Sequence, residues 1–277
     1  LGKRDWDKRR MRTEVRCEDG VKIYPLRYLS LSKYGNTGFN TWSASLSLRG
    51  AIRIAEKEIF RPDIIFAHAL GFGSALGAWL KKAFRCPLIV TTHGSDTLIP
   101  AKYGQWEKIK QWSDEADYIV AVSTSLANKV KASGTTTPVA VILNGFNVKN
   151  LKSAVCSSKE PMSLIYVGHL QWQKQVHITI QAFAQIYQRY PEATLTIIGM
   201  GPERQTLEDL CEELDIGKAV RFLGEVPNSV VFEQLAKSQF FVMPSVREGF
   251  GIVYLEAMVS GCLAIGTVGE GIADLIV

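Results

Sequence analysis

With 277 residues, 47% of them hydrophobic, the chain is long enough for two modest domains rather than one. A formal charge of +5 is mild, and no basic helix or aromatic-interleaved strand pair accompanies it, which argues against nucleic acid as a partner. No apolar run reaches the roughly 20 residues of a membrane-crossing helix, and no signal peptide is expected at the start. Cys17, Cys86, Cys156, Cys211 and Cys262 are scattered through the sequence without a Cys-x-x-Cys or a histidine at zinc spacing. They read as free thiols in a reducing compartment, cytoplasm by default.

The chain opens on a basic stretch interleaved with acid, Lys3 to Arg12. A solvated surface accounts for it, and peripheral contact with an anionic membrane is the other reading. A first strand is expected near Val21–Leu29. After a loop rich in Gly, Asn and Ser, residues 44–60 carry a helical apolar period that ends before Arg61-Pro62. A regular alternation follows: strand 64–68, helix 73–84, strand 87–93, a loop, helix 105–116, strand 118–123, helix 124–133 capped by Ser123 or Thr124, and strand 139–145. These strands are continuous apolar runs, as in a parallel sheet covered on both faces.

Residues 147–161 lack any period and are rich in Ser, Lys and Asn, so the interdomain linker is placed there. A second alternation then runs to the end: strand 163–168, helix 176–190, strand 194–199, a helix opened by Pro202 as a first-turn proline, strand 221–224, helix 229–237, strand 240–243, helix 252–259, strand 262–266 and a helical start at Gly271. The fold class is α/β, with two Rossmann-like parallel-sheet domains, residues 1–147 and 148–277. A TIM barrel would alternate too, but the linker and the glycine-rich βα loops disfavour it.

The most informative stretch is residues 240–261. A short apolar strand, a loop holding Gly249 and Gly251, and a helix follow one another, with Glu248 in the loop and Glu256 in the helix. Such a junction turns backbone N–H groups and the positive end of a helix toward the crevice above the sheet, which suits a phosphate. Carboxylates there repel phosphate, so neutral hydroxyls are their partners, and the ligand carries phosphate and polyol together. Taken singly, each glutamate would read as an ordinary surface charge.

Glu248-Gly249-Phe250-Gly251 followed by Leu255-Glu256-Ala257-Met258 resembles the Glu-x7-Glu motif of retaining GT-B glycosyltransferases, family 4 in particular, and the match runs from Met243 to Ile276. The resemblance implies a GT-B fold, both of whose domains are expected to be incomplete here. It also implies transfer of a sugar from a UDP- or GDP-sugar to a carbohydrate or glycolipid acceptor, with retention at the anomeric carbon. Glu248 would then hold the sugar by its hydroxyls, with the amides of Gly249, Phe250 and Gly251 beside sugar and phosphate, and Glu256 would bind the ribose.

Other segments extend the resemblance. Thr92-His93-Gly94-Ser95-Asp96 closes a strand; by itself a strand-end histidine is usually structural, but Gly94 permits a tight turn and Asp96 can orient an imidazole or cap. The segment is similar to the family's His-Gly-x-Asp element, which implies that His93 approaches the transferred sugar across the cleft. Gly168-His169-Leu170, then Lys174, resembles the Gly-Arg-Leu…Lys-Gly element whose cations neutralise the donor diphosphate as negative charge grows on it. Here His169 stands in place of the arginine and Gln175 in place of the glycine, and an imidazole is a weaker, pH-dependent anion partner than a guanidinium.

Asn144-Gly145-Phe146-Asn147 resembles a hinge, Gly199-Met200-Gly201-Pro202 a Gly-x-Gly-Pro loop, and Val226 stands where family members seat the nucleotide base. Asp5-Trp6-Asp7 is formally an Asp-x-Asp, but no strand precedes it. No metal and no cofactor are expected. The competing functions are a nucleotide-sugar epimerase or a glycogen-type phosphorylase on the same architecture, and a non-catalytic nucleotide-sugar-binding protein.

Overall fold

A computed structural model describes residues 16–25, 38–58, 60–146 and 158–276. The basic opening stretch, Asp5-Trp6-Asp7, Cys156 and most of the expected linker lie outside them. The described chain begins with a hairpin, β1 (Arg16–Glu18) against β2 (Val21–Ile23). Asp19 and Gly20 turn it with φ of 50° and 81°. That pair of positive angles suits an Asp-Gly turn. The expected strand therefore ends at Ile23, and its continuation beyond Pro25 lies outside the described residues.

Helix α1 (Gly38–Lys57) starts earlier than the apolar period suggested. Polar residues opening it read as loop, but the Ser45 hydroxyl donates back to the Trp42 carbonyl at 2.7 Å, so it does not compete for the helix's own donors.

Four strands, β3 (Ile65–His68), β4 (Leu88–Thr92), β5 (Tyr118–Ala121) and β6 (Val139–Val141), form the first sheet in that spatial order. Helices α2 (Phe72–Phe84), α3 (Ser95–Lys102), α4 (Trp106–Asp114) and α5 (Thr124–Ala132) intervene. Leu88, Val90, Ile109, Ile119 and Val130 make its dry core. Coverage on both faces holds for the central strands only: Phe66 on β3 and Ile142 just past β6 are exposed. The strand expected over 139–145 stops at Val141. The Ser123 hydroxyl accepts the Leu126 N–H at 3.3 Å, as expected of a cap.

Helix α3 replaces the loop expected after β4. Pro100 argues against a helix in sequence, yet the Gly94 carbonyl accepts the N–H groups of both Thr97 and Leu98, and both side chains are buried. Burial of that first turn outweighs the one hydrogen bond that Pro100 removes.

The second sheet has five strands, β7 (Ser163–Val167), β8 (Thr194–Ile198), β9 (Val220–Gly224), β10 (Phe240–Val242) and β11 (Leu263–Ile265), in the order β11-β10-β7-β8-β9, all parallel. Helices α6 (Val176–Arg189), α7 (Arg204–Glu213), α8 (Asn228–Lys237) and α9 (Ile252–Val259) connect them. Ile165, Tyr166, Ile180, Phe183, Leu195, Ile197, Leu235 and Phe241 are fully buried between the layers. The chain leaves β7 toward β8 on one side and returns to β10 on the other. A topological switch point therefore lies between β7 and β10, where open α/β sheets bind ligands at the strands' carboxyl ends.

Pro202 does not open α7; it stands two residues before Arg204, in a turn whose Glu203 N–H bonds the Leu170 carbonyl at 3.2 Å. The reason is backbone crowding. A Cβ on Gly199 would fall 1.9 Å from the Gly168 carbonyl oxygen, and one on Gly201 would fall 2.1 Å from that of Leu170. The Gly-x-Gly-Pro loop is thus a bed for the loop that follows β7, and the helix starts only after it.

The chain divides into two compact units. Of the described residues, one unit holds those up to Thr92 with Pro100–Val120 and Val130–Ala140; the other holds those from Val141 onward with His93–Ile99 and Ala121–Lys129.

Candidate active site

Two loops of the second unit meet at the switch point. The first leaves β7 as Gly168-His169-Leu170 and continues into a 3-10 turn, Trp172–Lys174. The second leaves β10 at Met243 and reaches α9 at Ile252. The Val246 N–H donates to the Gln173 carbonyl at 2.8 Å, which ties the loops together. Beside that bond the Lys174 ammonium and the Glu248 carboxylate form an ion pair, with side chains 20% and 16% exposed. The Glu248 N–H donates to the Glu270 carboxylate at 2.8 Å, and its carbonyl accepts the Gly271 N–H at 3.1 Å.

Glycine is required where these strands of backbone stack. A Cβ on Gly249 would lie 2.0 Å from the His93 carbonyl oxygen, and one on Gly271 would lie 2.1 Å from the Gly249 carbonyl oxygen. Any side chain at 249 would drive the His93–Gly94 turn away from Glu248. The Asp96 carboxylate fixes that turn by accepting the N–H groups of Gly94 at 2.9 Å and His93 at 3.3 Å. Asp96 acts on the backbone there, as a turn cap.

Two buried tyrosines hold the strand ends. Tyr166 on β7 donates its hydroxyl to the His169 carbonyl at 3.2 Å, and Tyr254 on α9 donates to the Met243 carbonyl. Burial first, and then the charge of nearby Glu248, pushes both phenols well above the usual tyrosine range. Both shifts favour the neutral hydroxyl that donates to those carbonyls. Sequence reasoning missed both, along with Glu270, Gln173 and Arg247; a tyrosine inside an apolar strand or helix looks like ordinary core.

A cavity of about 220 Å³ opens between these loops, lined by His93, Gly94, Ser95, Gln173, Lys174, Arg247, Glu248 and Gly249 among others. Of the residues singled out from the sequence, His93, Lys174, Glu248 and Gly249 thus line one space. Phe250 is buried, so it can offer a ligand only its backbone. Gly251 caps α9 in the left-handed region at φ 80°.

The other expected residues do not line this cavity. Gly168 packs under the Tyr166 hydroxyl, where a Cβ would stand 2.8 Å away. His169 is exposed, its carbonyl taken by Tyr166 and by the Gln171 N–H. Glu256 is the fifth residue of α9, half-buried, and burial raises its carboxyl above the usual range. Val226 follows β9, two strands from β7, a displacement of about 10 Å at normal strand spacing. Among the described residues no three His, Cys, Asp or Glu side chains gather as metal ligands would.

Comparison with known proteins agrees along the whole chain. Residues 7–150 match the family described as Glycosyltransferase Family 4, and residues 149–277 match Glycosyl transferases group 1. The N-acetyl-alpha-D-glucosaminyl L-malate synthase of Bacillus anthracis is 29% identical over 271 residues, 92% of this chain and 69% of that protein. Sucrose-phosphate synthase from Thermosynechococcus elongatus superposes with a TM-score of 0.74 at 18% identity, over 97% of this chain and 71% of that one. Anabaena HepE, solved in complex with UDP, gives 0.68 at 21% identity, over 84% and 66%. The chain thus spans about two thirds of the length of these proteins. Its fold is GT-B, and the chain belongs to the family 4, group 1 glycosyltransferases.

Proposed function

We propose that the full protein transfers a glycosyl unit from a UDP- or GDP-sugar to a carbohydrate or glycolipid acceptor, with retention at the anomeric carbon. The observation that carries this reading is the Lys174–Glu248 pair, set in a cavity at the switch point together with His93. Breaking a glycosidic bond to a diphosphate adds negative charge to the leaving group. A lysine and the backbone amides of Gly249, Phe250 and Gly251 are fixed donors for that charge. Glu248 holds sugar hydroxyls, His93 adds a contact at the reacting end, Glu256 takes the ribose, and the backbone at Val226 seats the base.

With Lys174 opposing the diphosphate, the reaction needs no metal ion. The family and the relatives support a nucleotide-sugar donor, and a role in cell-surface polysaccharide or glycolipid assembly fits them. Among the described residues no helix is long and apolar enough to cross a membrane. We place the enzyme in the cytoplasm, with peripheral attachment at the inner membrane face where the acceptor is a lipid.

Release of nucleoside diphosphate by the full-length protein, from UDP- and GDP-sugars and with EDTA present, tests the reading. Turnover that survives EDTA supports it. Binding without any turnover, with acceptors of both classes supplied, would replace it by a nucleotide-sugar-binding module.

A further inference from the structure

The cavity holds a second cation besides Lys174. We propose that Arg247 binds the donor diphosphate, taking the part that the resemblance gives to an arginine at position 169. This rests on the reading of the cavity as the donor site.

Charge comes first. Lys174 is engaged by Glu248, and the Glu270 carboxylate sits on the Glu248 N–H, so this corner holds two carboxylates against one ammonium. A diphosphate entering it needs another cation. His169 does not supply it, being exposed and off the cavity. Arg247 lines the cavity and makes no ion pair with any described residue.

Geometry then favours the guanidinium. It lies 4.5 Å over the Trp172 ring, a side chain that is itself 51% exposed. The ring holds the cation by its face without an ion pair, and a guanidinium so held still offers paired N–H donors that suit two phosphate oxygens. The backbone is set to the same end. Arg247 has φ 59°, a left-handed conformation that is strained for a non-glycine residue. It is held there by the Val246 N–H on Gln173 and the Glu248 N–H on Glu270, one on either side. A strained residue fixed from both sides, held over an aromatic ring and lining the site, is a positioned group rather than a wandering surface arginine.

The experiment is calorimetric titration of the full-length chain with UDP and GDP, and with uridine and guanosine, for the wild type, R247M, R247K and R247M/H169R. The proposal expects R247M to weaken the diphosphate by about 10- to 100-fold while the nucleoside binds unchanged. R247K should fall between, and H169R should recover part of the loss. Should R247M fail to fold, the weakening of the diphosphate alone in R247K decides. A diphosphate affinity within about twofold of wild type, or equal losses for diphosphate and nucleoside, overturns the proposal. A wild type that binds neither diphosphate refutes the donor-site reading itself, a separate outcome.

Discussion

Lys174 and Glu248 stand 74 positions apart in sequence and form one ion pair, joining the turn after β7 to the loop after β10. Both side chains are mostly shielded from water, so each charge depends on the other. In the proposed function this pair would keep a lysine ready for a diphosphate without leaving it unpaired. Donor binding would then exchange one partner for another, the carboxylate turning to sugar hydroxyls and the ammonium to phosphate.

Removing either partner strands the other charge. K174M and E248Q should each destabilise the fold by about 1–3 kcal/mol, and the double variant by less than their sum. Denaturant titration of the four proteins measures this. Each single variant should also lose at least about 100-fold in turnover.

Glu256 should show a cost in stability, one that the proposed ribose contact would account for. Burial raises its carboxyl above the ordinary value, so the folded state holds the proton more tightly than the unfolded chain. The stability penalty is therefore absent below the unfolded pKa, grows as pH rises through the interval up to the raised folded value, and is full above it. E256Q should melt above wild type at pH 7, the gap narrowing as the pH falls through the raised folded value toward the ordinary carboxylate range, while nucleotide affinity drops. A melting difference independent of pH would contradict the burial argument.

Lys159 is a structural counterpart outside the site. Its ammonium donates to the carbonyls of Leu235 at 3.0 Å and Ser260 at 2.6 Å, close to the Cys262 thiol. K159M should lower stability by about 1–3 kcal/mol and leave nucleotide binding untouched. Burial pushes the Cys262 thiol up, and that of Cys211 up to about 11. Alkylation at pH 8 with peptide mapping should mark exposed Cys17 first and spare Cys211 and Cys262 until the protein unfolds.

Gln175 sits at φ 51° between the 3-10 turn and α6, at the position where the resemblance implies glycine. Q175G should stabilise by about 0.5–1 kcal/mol, relief of the left-handed strain exceeding the added chain entropy and the lost bond to the Trp172 carbonyl. A fall in melting temperature would show that the side-chain bond matters more.

Period and punctuation made most of the architecture legible. The run from Ile252 to Val259 reads as one helix between Gly251 and Ser260-Gly261, and the structure shows it so. The errors have a common origin in tertiary contact. Helix α3 exists because Thr97 and Leu98 are buried, which no local signal around Pro100 announces. Pro202 reads as a first-turn proline, but the helix starts only at Arg204, because Gly199 and Gly201 make room for the backbone at Gly168 and Leu170. In the site, glutamates and lysine were visible by motif. Tyr166, Glu270 and Arg247 were not, because what each does is set by a partner elsewhere in the chain.

One titration separates the ribose and phosphate ends of the proposed donor site: UDP or GDP, and the matching nucleoside, into wild type, E256A and K174M of the full-length protein. E256A should weaken diphosphate and nucleoside alike, by about tenfold or more, whereas K174M should weaken the diphosphate alone. If both variants bind the diphosphate as wild type does, a nucleotide sugar does not sit between these residues.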